Sequence, residues 1–396
     1  MTTSDSIEPS VSYLAPASSD WRYLSAEVDA DEEAKGDARK ASDELNGILL
    51  ASLQMQRLVV LAGSGCSITA GGPSMSDLWE GAVGGHPSSD AKSAADKVNH
   101  DLSEKNIELF LSKMESYLQL QEDADVERFL GTSRKLILDR CSDFLDPAKL
   151  EAHETFLHRL SRRRVRDLRL KVFTTNYDRC FERAAAARGG VALDGFSFVA
   201  PRIFDPRFFE FDIVRRSRSR DEPDHYLEGV FQLYKLHGSV SWARVDGASV
   251  VEKDKAEPAE ACLIYPAFGK YQQSFVQPHL ESMAQYLSAM REPNTCLIVV
   301  GFGFNDDHLS EPLLAAVKSN SHLRVLVVGP RAAVESTKGN RFWLRLAELN
   351  RSGEDVWFVN ASFAEFAQII PDLKSLSPAD ALMKAVRGVA GSNGGD

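Results

Sequence analysis

Two spacings of apolar residues alternate along the chain. Short runs of mostly branched residues recur at Leu58 to Ala62, Leu168 to Phe173, Val230 to Leu236, Cys262 to Tyr265, Thr295 to Val300, Leu323 to Val328 and Val356 to Val359. Runs of this length, stopped by glycine or polar residues, read as buried strands. Between them apolar residues return every three or four positions. Ala41, Leu45, Ile48, Leu49 and Leu53 mark a helix over about 37–54, and His153 to Arg164 and Phe275 to Met290 give two more. Strands alternating with helices over this length predict an α/β fold with a doubly wound, mostly parallel, Rossmann-like sheet.

One stretch breaks the alternation. From Asp77 to about Lys149 there is no β-branched run, only helical spacing (Leu109, Phe110, Met114, Leu118, then Phe129, Leu136, Ile137) after a Gly84-to-Ser89 break. This predicts a helical insertion or lid at about 77–150 within one domain spanning 37–396. Residues 1–36 are polar and acidic, and read as a flexible arm or one that docks on another subunit.

Four strand ends carry small or polar residues. Leu58 to Leu61 runs into Ala62-Gly63-Ser64-Gly65-Cys66-Ser67, Phe173 into Thr174-Thr175-Asn176-Tyr177-Asp178, Leu236 into His237-Gly238-Ser239, and Val300 into Gly301-Phe302-Gly303-Phe304-Asn305-Asp306. Open α/β sheets bind ligands at the carboxyl ends of their strands. A Gly-x-Gly turn before a helix start lets a diphosphate approach the backbone. No Gly-Lys-Ser/Thr follows, so the turn is not a Walker A loop, and Ile68 stands where the third glycine of a dinucleotide fingerprint belongs.

Composition narrows the classes. Over 396 residues, 43% apolar and 26% charged composition suits a globular protein, and no run approaches a membrane span. Five scattered cysteines (Cys66, Cys141, Cys180, Cys262, Cys296) form no Cys-x-x-Cys pair and fit a reducing, cytoplasmic setting without a secretory signal. The net charge of −11 argues against direct nucleic-acid binding, and the basic runs at Arg162 to Arg164 and Arg215 to Arg218 read as solvated or partner-facing. Cys66 reads as a small buried thiol on the floor of the first turn. His86, His100, His153, His158, His225, His279 and His322 read as structural.

In their order, the four motifs resemble those of the sirtuin family: Gly-Ala-Gly-x-Ser, Thr-Gln-Asn-x-Asp, Leu-His-Gly-Ser and a late Gly-x-Ser turn. The resemblance covers about Leu58 to His308. It departs from the deacetylases in two ways: the four zinc-ribbon cysteines are missing, and Pro73-Ser74-Met75-Ser76 replaces the Pro-Asp-Phe-Arg run. Asp306 and the stretch from Tyr265 to Tyr271 are similar to the branch found in bacterial antiphage systems, whose members hydrolyse NAD+, some of them paired with a HerA-type hexameric ATPase. The resemblance implies an NAD+ glycohydrolase without a metal, forming homo-oligomers and activated by assembly or by such a partner. On this reading His237 is the base, Asn176 positions water and ribose, and Asp178 holds Asn176 or a helix N-terminus. Gly63, Ser64 and Gly65 take the diphosphate, Gly301 and Gly303 cradle the adenosine ribose with Asp306 on its hydroxyls, and Ala62, Ser67 and Thr175 complete the cofactor-binding residues. Gly303 lacks the hydroxyl of the family's serine. An NAD+-dependent deacylase or ADP-ribosyltransferase, and a non-catalytic NAD+ or ADP-ribose-binding scaffold subunit, are the alternatives.

Overall fold

Strands buried on both faces must be apolar throughout, and the uninterrupted runs occupy the middle of the sheet for that reason. The computed structural model describes residues 11–26, 30–163, 167–217, 225–247, 249–265 and 276–372. In chain order its strands are β1 (Ser12–Leu14), β2 (Arg22–Tyr23), β3 (Arg57–Ala62), β4 (Leu170–Thr174), β5 (Val191–Leu193), β6 (Val214–Arg215), β7 (His225–Tyr226), β8 (Val230–Lys235), β9 (Gly238–Val245), β10 (Ser249–Glu252), β11 (Ala261–Leu263), β12 (Thr295–Val300), β13 (Leu323–Gly329) and β14 (Val356–Asn360).

Nine of them form one sheet in the order β2-β1-β14-β13-β12-β3-β4-β8-β5. From β14 to β5 every pairing is parallel, and β1 and β2 are added antiparallel at one edge. This is the doubly wound α/β architecture the alternation predicts. The chain leaves β3 toward β4 on one side and returns to β12 on the other, so β3 and β12 flank a topological switch point. Register fixes what meets there. Val300 pairs with Ala62, Ala62 with Thr174, and Thr174 with Lys235. Four adjacent strands therefore end at one level, and the four polar motifs begin side by side.

The segment 75–143 is helical, as its spacing predicts: Met75–Ala82, Ser89–Lys97, Ile107–Leu118 and Ala124–Asp143. These helices bury Leu78, Trp79, Phe110, Met114, Phe129 and Ile137 in a cluster of their own, which reaches the rest of the protein through Val240 and Tyr265. Other expectations need correction. The arm is not an arm from Val11 onward: Tyr13 is fully buried in a strand paired with β14, and the Glu32–Leu53 helix begins inside the arm's expected bounds. Three apolar or small residues are too few to show a two-residue period. The antiparallel sheet β10-β9-β11 was read only where the Cys262 to Tyr265 run overlaps β11, because β9 and β10 break their apolar pattern with serine, arginine and glutamate. Residues 1–10 and the 266–271 part of the Tyr265 stretch lie outside the described residues.

Candidate active site

Gly63 and Gly301 are glycines because the first and last turns touch. A Cβ on Gly63 would lie 2.5 Å from the Gly301 carbonyl oxygen, and one on Gly301, whose φ is +62°, would lie 2.5 Å from the Cys66 nitrogen. The contact is hydrogen-bonded: Gly63 N–H donates to Val300 O at 3.0 Å and Gly65 N–H to Gly301 O at 2.9 Å. These two donors are taken up inside the protein. The glycines supply a close backbone approach, whereas the helix that follows is a single turn, Gly65–Ile68. Cys66 is fully buried beneath it, its thiol held far above the ordinary range by burial.

The second motif is fastened to the first. Asn176 Nδ2 donates to Gly63 O at 2.9 Å and to Ser67 Oγ at 2.8 Å, and Ser67 Oγ–H donates to Asp178 Oδ2 at 2.6 Å. Asp178 also accepts the Cys180 N–H at 3.0 Å, at the start of the Cys180–Ala187 helix. Asp178 thus touches the start of that helix directly and reaches Asn176 through Ser67. Asn176 is buried, yet its Oδ1 has no hydrogen-bond partner. A locked amide presenting an unpartnered buried acceptor is prepared for a donor that arrives from outside.

Two residues escaped the sequence reading. Lys235, at the end of β8 and 3% exposed, reaches the carbonyls of Asn176 and Asp178 and pairs with Glu182 at 3.3 Å. It pins the polypeptide of the second motif from beneath. His308, in the first turn of the Asp307–Ser319 helix, places its Nε2 3.2 Å from His237 Nε2, with both rings buried. Asp306 lies beside them, and His237, Asp306 and His308 each offer one ligand atom within 4.8 Å of the others. The available signal for His308 was its place two residues after Asp306; for Lys235 it was a charged residue closing an apolar strand.

A cavity of about 140 Å³ joins these groups. Its sheet side is lined by Gly63, Ser64, Ser67, Thr175, Asn176, Asp178, His237, Gly303 and Asp306, and its other side by Pro73, Met75, Leu78, Glu108, Cys141 and Phe144. Ala62, Gly65 and Gly301 stand behind the wall; the buried Ala62 carbonyl accepts the Thr175 N–H at 3.1 Å. Two larger cavities, of about 910 and 1010 Å³, border Trp21 and Tyr23 in one case and Lys171 and Asp212 in the other, and hold none of the four motifs. Of the basic runs, Arg162 pairs with Glu228 and the buried Arg163 caps the carbonyls of Leu53, Met55 and Gln56. Both are structural. Among the described residues no helix is long and apolar enough to cross a membrane.

Comparison with known proteins finds a family model, described as a SIR2-like domain, that matches residues 170–347. The match takes in three of the four motifs and both residues that sequence reasoning missed. Among solved structures, a Sir2 homologue in complex with NAD is 13% identical, with 87% of this chain and 94% of that one covered and a TM-score of 0.43. Sir2 bound to acetylated peptide is 14% identical, with 81% and 95% covered and a TM-score of 0.40. These likenesses are too distant to carry residue roles. No curated protein matches the sequence.

Proposed function

We propose that the chain hydrolyses NAD+ at the nicotinamide–ribose bond, giving ADP-ribose and nicotinamide. The observation that carries the reading is the Asn176 amide, fixed by Gly63 and Ser67 with its Oδ1 left for an incoming donor, in the cavity that His237 also lines. Cleavage passes through an oxocarbenium-like centre, and the leaving nicotinamide departs as a neutral base, so no strong acid is required. Water attacking the ribose needs a group to orient it and one to take its proton. Asn176 Oδ1 accepts a hydrogen from that water or from a ribose hydroxyl. His237 takes the proton.

On this reading the histidine pair assigns the atom through its tautomers. With Nε2 of His237 protonated and donating to His308 Nε2, the lone pair of His237 sits on Nδ1, where it serves as the base. The glycine turns receive the diphosphate by close approach, and Asp306 suits the hydroxyls of the adenosine ribose. Hydrolysis is favoured over deacylation by the cysteines. All five are buried, free and dispersed through the fold, and supply no zinc ribbon.

At about 140 Å³ the cavity is smaller than the several hundred Å³ usual for ligand sites, so NAD+ must extend beyond it or displace the helical layer beside it. That supports a switched enzyme. The resemblance to antiphage effectors suggests the switch: assembly of the chain, or docking of a HerA-type ATPase, with NAD+ depletion as the outcome.

The experiment follows nicotinamide release from NAD+ by the purified chain, alone and with the candidate ATPase, beside Asn176→Ala and His237→Ala. Turnover lost in both variants supports the reading. Release that depends on an acetyl-lysine peptide would replace it with deacylation, and bound NAD+ without release with a scaffold role.

A further inference from the structure

We propose that His237, His308 and Asp306 form a binding site for a borderline transition-metal ion of the zinc class, and that an ion bound there switches the site off. The switching rests on the assignment of His237 as the base; the metal site itself does not.

Geometry is the first argument. Two imidazole nitrogens bound to one tetrahedral zinc at about 2.0–2.1 Å stand about 3.3 Å apart, with their ring centres about 5.2 Å apart. His237 and His308 hold their Nε2 atoms 3.2 Å apart and their ring centroids 5.3 Å apart, at 26° between planes. The rings need no rearrangement to admit an ion off the line between them. The third donor, an oxygen of Asp306, completes a set whose atoms lie within 4.8 Å of one another. It belongs to a half-buried residue at the N-cap of the helix that carries His308.

Donor chemistry is the second argument. Two imidazoles and one carboxylate suit zinc or its neighbours, whereas calcium and magnesium prefer oxygen. Three protein donors leave a fourth position for water or another ligand, and two of them, His237 and Asp306, line the cavity. The donors also sit on firm supports. His237 follows β8, a strand paired on both sides, and His308 lies in a thirteen-residue helix, both residues buried.

The effect on His237 follows from its two nitrogens. As a base it keeps its proton on Nε2 and its lone pair on Nδ1. An ion held by both Nε2 atoms requires the reverse, with the proton on Nδ1. Binding therefore moves one proton from Nε2 to Nδ1 of His237 without net release, and removes the acceptor at Nδ1. The two states exclude each other.

The test uses the full chain, stripped with a chelator and then equilibrated with zinc or cobalt. Bound metal is measured by mass spectrometry, and coordination by the visible bands of cobalt. The expected result is one ion per chain with the strong absorption of tetrahedral cobalt, and affinity at least about tenfold weaker in His308→Ala and in Asp306→Asn. Thermal melts of both variants establish that they are folded. Substoichiometric metal in the parent chain, or undiminished affinity in folded His308→Ala, overturns the site. Zinc bound at His308 with nicotinamide release unchanged overturns the switch. A chain that binds zinc through His308 and releases nicotinamide under no condition removes the hydrolase reading, and the switch with it, but leaves the metal site standing.

Discussion

Ser67 Oγ donates to Asp178 Oδ2 across 2.6 Å, deep beneath the first glycine turn. Because the same oxygen accepts from Asn176 Nδ2, the bond is the middle of a relay that orients the Asn176 amide. A hydroxyl engaged on both sides within the protein is a positioning group, although its motif marked it for cofactor binding. Ser67→Ala should therefore lower kcat for NAD+ hydrolysis by about ten- to a hundredfold while KM stays within about threefold. It should also cost about 1–3 kcal/mol of stability, since Asp178 loses a buried donor. Initial rates across NAD+ concentrations, beside denaturant melts, check both halves. A rise in KM at constant kcat would return Ser67 to direct ligand binding.

The two glycine turns make a sharper contrast. Gly63 and Gly301 are each closed in by backbone atoms, where nothing flexible can yield, and Gly301 also has a positive φ. At Gly303 the nearest atom to an added Cβ is the Asn305 side-chain nitrogen, 3.2 Å away, and the residue is exposed. Gly63→Ala and Gly301→Ala should each destabilise the protein by about 1–3 kcal/mol, and Gly303→Ala by no more than about 0.5 kcal/mol. Equal effects at Gly301 and Gly303 would mean that the turns do not pack as described.

How far these features were legible depends on the range of the interactions behind them. The parallel sheet was legible because strands such as Thr295–Val300 are buried along their whole length, and such burial demands an apolar run. The gathering of the four motifs was legible because they sit at the ends of adjacent strands, so that finding the strands brought them to one edge of the sheet. Partnerships across the sheet were not. Asp178 reaches Ser67, 111 positions away, and His237 meets His308, 71 positions away. Neither pairing leaves a local trace, and His308 entered the sequence reading only as the end of the resemblance. Tyr13 was lost for a related reason, since its strand has three residues and draws its stability from β14.

Acid should weaken the fold through two buried histidines. His153 is fully buried between the rings of Phe181 and Phe363 with neither ring nitrogen hydrogen-bonded, and burial lowers its proton affinity. His279 is brought down to about 4 by burial, with the Arg244 charge adding to the effect. In the unfolded chain both titrate near the ordinary value of about 6.5. Between that value and about 4 the unfolded chain binds protons that the folded one refuses, so stability falls as the pH drops through this window and is fully present above it. Each tenfold difference in proton affinity is worth about 1.4 kcal/mol. His153→Phe keeps the aromatic packing and removes the group, so its loss of stability between about pH 7 and about pH 5 should be smaller than that of the parent by about 1–3 kcal/mol. Parallel stability curves for the two proteins would remove His153 from this account.

The helical layer sets the last expectation. Met75 is 40% exposed at the start of the Met75–Ala82 helix, yet it lines the cavity opposite Asn176 and His237. Its side chain occupies volume that a dinucleotide needs while contributing little to the core. If this narrow cavity is the resting state, the apparent affinity for NAD+ is reduced to the fraction of chains in which it is widened. Met75→Ala enlarges the entrance without touching a polar group of the site, so it should raise that affinity by about three- to tenfold. Stability should move by no more than about 0.5 kcal/mol, as for other exposed positions. Titration of the chain with NAD+ by calorimetry, beside thermal melts, measures both quantities. Weaker binding in Met75→Ala would make this side chain a contact for the nucleotide rather than an obstacle to it, and the opening motion would then have to come from the buried Leu78 and the half-buried Phe144.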